Sequence, residues 1–133
     1  MKALICGDRN WYNVAVIRNT LWRLKAFGYD TIIEGEAKGA DSIARDEALK
    51  LGFTVLKYPA KWKEYREKYP VKDFGFKWKS AGNDRNTQML EEGKPDLVVA
   101  FHPDLQRSKG TKDMVNKSLA AGVKVIIIKG EEG

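Results

Sequence analysis

The sequence predicts a three-layer α/β fold: a five-stranded parallel sheet in the order 3-2-1-4-5, with helices on both faces. Two observations carry this prediction. Five short apolar runs alternate with stretches whose apolar residues recur every three or four positions, and glycine or proline punctuates the junctions between them. Such an alternation asks for parallel strands joined by right-handed crossovers, and crossovers of one hand place the topological switch point between strands one and four.

Lys2–Cys6 reads as the first strand and Gly7-Asp8-Arg9 as the turn leaving its carboxyl end. From about Asn13 to Phe27, Val14, Ile17, Leu21, Leu24 and Phe27 form one apolar stripe, so a helix is expected there, stopped by Gly28. Thr31–Glu34 is the second strand, Gly35–Gly39 a loop, and Asp41–Leu51 a helix that Asp41 is placed to cap and Gly52 ends. Phe53–Tyr58 is the third strand and Pro59 closes it. After the Ser80-Ala81-Gly82 break, a helix starts near Asn83 or Asp84 and runs to Gly93. Asp96–Phe101 is the fourth strand. A helix over about Gly110–Ala121 buries Met114, Val115 and Leu119, and Val123–Ile128 is the last strand, an apolar edge. The tail Lys129–Gly133 is polar and expected to fray.

One segment breaks the rhythm. Residues 61–79 carry seven Lys or Arg against three acids, together with the aromatics Trp62, Tyr65, Tyr69, Phe74, Phe76 and Trp78. This is a basic aromatic insert within one domain spanning 1–133. Trp62, Tyr65 and Tyr69 have helical spacing, and Glu64 stands four residues before Lys68. Basic side chains interleaved with rings suit stacking on bases along a charged path; equally, the rings anchor the insert while the lysines stay in water.

Composition narrows the function classes. A net charge of +6 tilts the chain toward anionic partners such as nucleotides or nucleic acid. The single cysteine, Cys6, excludes an internal disulfide framework and sits in an apolar run as a small core residue, so a reducing, cytoplasmic compartment is expected. No apolar run approaches the roughly 20 residues needed to span a bilayer, and no secretory leader is visible. With one histidine, His102, and one cysteine there is no zinc cluster and no Cys-His pair, and no metal or cofactor is implied. Neither a G-K-S/T phosphate loop nor a GxGxxG fingerprint follows the first strand, which argues against ATPase and NAD dehydrogenase readings.

The candidate site follows from the topology. In such a sheet the ligand crevice lies beyond the carboxyl ends of the strands at the switch point, where Gly7-Asp8-Arg9 would face His102–Thr111. Gly35–Asp41 and Pro59–Trp62 would line the same rim. In the stretch Phe101–Val115, Gly110 lets a ligand approach the backbone and Thr111 and Ser108 offer hydroxyls at a helix start, which is a ready place for phosphate. Ser108 and Thr111 serve equally well as plain caps. Arg9 is a fork for an anion, Asp41 an acceptor for a ribose hydroxyl, Trp62 a stacking face, and His102 shapes the crevice.

The segments CGDRN (6–10), EGEAKGADSIARDEAL (34–49), YPAKW (58–62), SAGNDRNTQML (80–90) and KPDLVVAFHPDLQRSKGTKDMV (94–115) together resemble the SLOG superfamily of Rossmann-like nucleotide-binding domains. The branch they are most similar to is the one related to YspA and circularly permuted YpsA, common in bacteria and phages. The resemblance implies a Rossmann-like fold and a nucleotide pocket lined by Gly7, Arg9, Gly35, Gly39, Asp41, Trp62, Arg85 and Asn86, with Gly110 and Thr111 on the phosphate; Asp8 and Ser108, in the same loops, complete the candidate ligand-binding set. Phosphoribohydrolases of the superfamily carry P-G-G-x-G-T-x-x-E with a catalytic glutamate. Here Met114 stands at that position, so a carboxylate would have to come from Asp8, Asp41 or Asp113.

Three readings result: a sensor or binding module for a nucleotide or an ADP-ribose- or NAD-like derivative, an N-glycosidase acting on nucleoside monophosphates, and a single-stranded nucleic-acid binder using Lys61, Lys63, Lys77 and Lys79. A homo-oligomer and a monomer are both compatible with the sequence.

Overall fold

The computed structural model describes residues 1–130; the last three residues of the expected polar tail lie outside the described residues. Five strands, β1 (Lys2–Gly7), β2 (Thr31–Glu34), β3 (Thr54–Lys57), β4 (Leu97–Phe101) and β5 (Lys124–Ile128), form one parallel sheet in the order β3-β2-β1-β4-β5. This is the Rossmann-like α/β arrangement expected. Helices α1 (Val14–Ala26) and α2 (Ala40–Lys50) cover one face, and α5 (Ala81–Gly93) and α6 (Gly110–Ala120) the other. Between β3 and α5 the insert folds as α3 (Trp62–Lys68), α4 (Val71–Phe74) and a 3-10 turn at Lys77–Ser80.

The two faces are cut from the strands by their period of two. Ala3 and Ile5 of β1 and Leu97, Val99 and Phe101 of β4 pack with Ile17, Leu21 and Ala44, while Leu4, Cys6, Val98 and Ala100 pack with Met89, Met114 and Val115. Burying each large aliphatic side chain contributes about 1.5–3 kcal/mol, so these two slabs hold the central strands in place. Gly93 allows α5 to lie close to β2, because a Cβ there would come within 2.9 Å of Ile33.

The structure corrects several details. Phe27 is the C-cap residue of α1 and 75% exposed, and near the helix start Val16 is buried while Val14, expected on the stripe, is only half-buried. Leu119 is 58% exposed; Ser118 is buried instead, its hydroxyl donating to the Met114 carbonyl at 2.7 Å. Helix α5 begins at Ala81, two or three residues earlier than the expected Asn83 or Asp84, because the 3-10 turn feeds straight into it. Its C-cap is Lys94 in the left-handed region (φ 50°), with Gly93 the last helical residue. Asp41 does not cap α2: Gly39 holds the N-cap position, and the Asp41 side chain, inside the first turn, folds back onto the preceding loop. On the far edge, β5 leaves Ile126 and Ile127 exposed.

Candidate functional site

The β1–α1 turn is the floor of the crevice and is fixed from three sides by backbone alone. The Asp8 N–H donates to the Phe101 carbonyl at 2.8 Å, joining it to β4, and the Asp8 carbonyl accepts from Trp11 and from the first N–H of α2 at Ala40, both at 3.1 Å. The glycines make this closure sterically feasible. A Cβ on Gly7 would collide with the Phe101 carbonyl and be 2.7 Å from the Ala40 Cβ; one on Gly39, which has φ +77°, would collide with the Asp8 and Arg9 backbone. Gly7 lines the crevice, whereas Gly39 sits behind its wall.

Above this floor the β2–α2 loop is organised by buried charge. Asp41 Oδ2 accepts from the N–H groups of Gly35 (3.1 Å) and Ala37 (3.3 Å). Burial pushes the Asp41 carboxyl up to about 6, while the Arg85 guanidinium and the two N–H donors pull it down. Arg85 donates to the carbonyls of Gly35 and Tyr58 and to Asn86 Oδ1, the last at 3.1 Å. Burial lowers its own pKa, against the opposing charges of Asp41 and Glu34. Gly35 packs directly under this guanidinium, where a side chain would clash with it. Arg85 therefore braces the ends of β2 and β3 and also lines the crevice, and Gly35 supplies the space.

Asn86 is buried and engaged at both ends. Its Oδ1 accepts from Arg85, and its Nδ2 donates to the Gly110 carbonyl (3.2 Å) and to Asp113 Oδ2 (3.0 Å). It ties α5 to the first turn of α6. Asp113 also pairs with Lys117 at 2.9 Å, so it is held in a structural network and does not line the crevice.

The α6 end of the crevice is more open. Ser108 Oγ accepts from the Thr111 N–H at 2.9 Å, which is the capping role, and Thr111 is buried against the cavity. The N–H groups of Gly110 and Lys112 donate to no acceptor among the described residues. Nothing lies within 4 Å of where a Gly110 Cβ would be. The first helical turn thus presents free donors and the positive end of the helix to an empty space.

Together these loops enclose a cavity of about 470 Å³, lined among others by Gly7, Asp8, Arg9, Asp41, Trp62, Arg85, Asn86, Ser108, Gly110 and Thr111. Ten of the twelve residues expected at the site are brought together; Gly35 and Gly39 shape the wall from behind. His102 is buried in the lining with Nδ1 accepting from the Asp104 N–H at 3.0 Å. Cys6 also borders the cavity, but burial pushes its thiol far up and removes it as a nucleophile. Met114 occupies the core on the helix face below, so no carboxylate stands at that position.

Several lining residues went unread in the sequence, among them Asn10, Asn83 and Arg107, and two further groups matter more. Lys109, immediately before the open glycine, lines the cavity; a base preceding a helix-start glycine was the available signal. Glu34, at the carboxyl end of β2, is fully buried, with Oε2 accepting from the Glu36 N–H at 2.9 Å and Oε1 without a partner among the described residues. Burial, aided by the neighbouring Glu36 carboxylate, pushes Glu34 up to about 9, so it is a neutral acid at pH 7. Its place beside the brace could not be read from a strand-end glutamate alone.

Among the described residues no helix is long and apolar enough to cross a membrane, and no group of three or more His, Cys, Asp or Glu side chains could hold a metal ion.

Comparison with known proteins agrees with the sequence resemblance. Residues 1–65 match the model of the YspA, cpYpsA-related SLOG family. The X-ray structure of DNA processing protein A (DprA) from Streptococcus pneumoniae superposes with a TM-score of 0.72 at 18% identity, over 98% of this chain and 50% of that one. The chain thus spans about half the length of that protein, and the likeness is one of fold. No curated protein sequence matches the chain.

Proposed function

We propose that this chain is a binding module or sensor for a nucleotide or nucleotide-derived ligand, held at the carboxyl ends of the strands. The observation that carries the proposal is the junction of an open helix start with unpaired cations at the switch point of the sheet. Gly110 and Lys112 offer backbone N–H groups, and Arg9, Lys79 and Lys109 line the same cavity with no carboxylate in ion-pair contact among the described residues. A phosphate belongs there. Asp41, half-neutral near pH 6, faces the cavity as a hydroxyl acceptor, and Trp62, 43% exposed, supplies a ring for the base. The family matched by residues 1–65 and the DprA-like fold support a nucleotide-related role.

The test is thermal stability against mononucleotides, NAD, ADP-ribose, cyclic nucleotides and a short single-stranded oligonucleotide, with each mixture checked for breakdown. A ligand at about a hundred times its Kd stabilises by about 2.7 kcal/mol, so a real partner registers as a clear shift. Gly110→Val is the matching variant. Its side chain would enter open space and leave the melting temperature within a few degrees, while blocking the phosphate position and removing the ligand-induced shift. Persistence of the shift in that variant would place the ligand elsewhere. Recovery of free base and sugar phosphate would reassign the site to hydrolysis despite Met114.

A further inference from the structure

A second hollow adjoins the first. It has a volume of about 800 Å³ and is built largely by the insert, and Arg9, Trp62, Lys79 and Lys109 line both hollows. The two are therefore neighbouring halves of one groove. They differ in what they offer. The first has backbone donors, a hydroxyl and buried polar groups; the second has Trp62, Trp78 and exposed cations, with no helix start of sufficient length to hold an anion.

Its charge is lopsided. Arg9, Lys63, Arg66, Lys79 and Lys109 face a single carboxylate, Glu67, and none of these five cations is in an ion pair among the described residues. The rings are pre-arranged. Trp62 and Trp78 meet edge to face at 6.1 Å, and the Arg66 guanidinium lies over Trp78 at 4.2 Å from the ring centre. An arginine stacked on an indole has its plane fixed while its N–H edge stays free, a geometry that serves both a base face and a phosphate. Tyr65 anchors this platform to the domain, donating to Asp84 Oδ2 on α5 at 2.5 Å.

We infer that the groove takes a ligand of two nucleotide units: the 5′-phosphate and first nucleoside in the cavity by Gly110, and a second phosphate and base across Arg66 and Trp78, with Trp62 at the boundary between the two bases. This rests on the nucleotide reading of the first cavity and deepens it. A mononucleotide fills one half and leaves Lys63 and Arg66, which line the second hollow alone, without an anion. The two-unit chemistry is shared by a free dinucleotide and by the 5′ end of a single strand.

The experiment measures Kd by calorimetry for AMP, CMP, GMP and UMP, for the matching 5′-phosphorylated dinucleotides, and for a 5′-phosphorylated oligomer of the preferred base. The full chain is compared with the double variant Lys63→Glu, Arg66→Glu, both exposed positions on α3. One added stacked base is worth about tenfold or more in affinity, so the dinucleotide should bind at least about tenfold tighter than its mononucleotide. In the variant that preference should vanish while mononucleotide Kd stays unchanged. Equal affinity of mono- and dinucleotide for the unaltered chain, or a preference that survives the variant, overturns the two-unit groove and leaves the nucleotide reading standing. Binding of neither overturns the two-unit groove and, with no thermal shift from NAD, ADP-ribose or cyclic nucleotides either, the nucleotide reading as well. An oligomer that matches the dinucleotide identifies a free two-unit ligand; one that binds much tighter, with steep salt dependence, identifies a strand end.

Discussion

Two helix starts meet at this crevice and were built for different ends. At α2 the first N–H, that of Ala40, is spent on the Asp8 carbonyl, Gly39 is wedged against the neighbouring turn, and the Asp41 carboxylate turns back to the loop. At α6 the N–H groups of Gly110 and Lys112 are uncommitted among the described residues, and the glycine opens on empty space. Both starts follow a glycine-bearing loop. The first spends its leading donor and its glycine on welding β1 to α2, so that its remaining uncommitted N–H groups among the described residues, those of Asp41 and Ser42, sit beside a carboxylate; the second keeps its leading donor and its glycine available. A glycine at a helix start is thus no sign of a ligand until its neighbours are known.

The contrast can be broken most severely at Gly39. Gly39→Ala adds a Cβ in a left-handed backbone and drives it into the Asp8 and Arg9 main chain. A loss of about 2–4 kcal/mol is expected in urea unfolding, against less than about 0.5–1 kcal/mol for Gly110→Ala. Next comes the clamp between α5 and α6. Asn86→Leu removes the acceptor for Arg85 and the donor for Gly110 and Asp113, and a buried polar group left unmet costs about 1–3 kcal/mol. Ligand binding should fall with it, since the first turn of α6 loses its tether.

Smaller for each unit of pH is the effect of Glu34. Its folded pKa, about 9, lies above the unfolded value, so the folded state holds the extra proton. That contribution is complete below the unfolded pKa and is lost as pH rises through about 9, at up to about 1.4 kcal/mol per pH unit. Melting temperature should therefore fall between pH 5 and 9, and Glu34→Gln should flatten the slope. An equal slope in both proteins would show that Glu34 ionises normally. The smallest change is expected on the insert surface. Phe76→Ser, at an exposed ring with Lys79 over its face, should leave stability within about 0.5 kcal/mol.

Sequence periodicity was enough for the sheet because each strand alternates between two slabs, and the helices each carry one apolar stripe. It was a poor guide at helix ends. Phe27 continued the stripe of α1 in register, yet lies past the last turn, and Leu119 is exposed while its neighbour Ser118 is buried with its hydroxyl bonded to its own helix. At the site, the loops that converge were legible from topology. The division of labour within them was not, because it is set by contacts between distant residues: Arg85 reaches Gly35 across 50 positions, and Asn86 reaches Gly110 across 24. Whether an asparagine grips a ligand or a carbonyl depends on what the fold brings to it.

The most direct measurement is a backbone amide titration by NMR with the mononucleotide that gives the largest thermal shift. The account predicts that Gly7–Arg9 and Gly110–Lys112 respond first and saturate together, with Ala40 and the α2 start nearly still. Responses confined to residues 62–79, or none at either helix start, would contradict a phosphate site at α6.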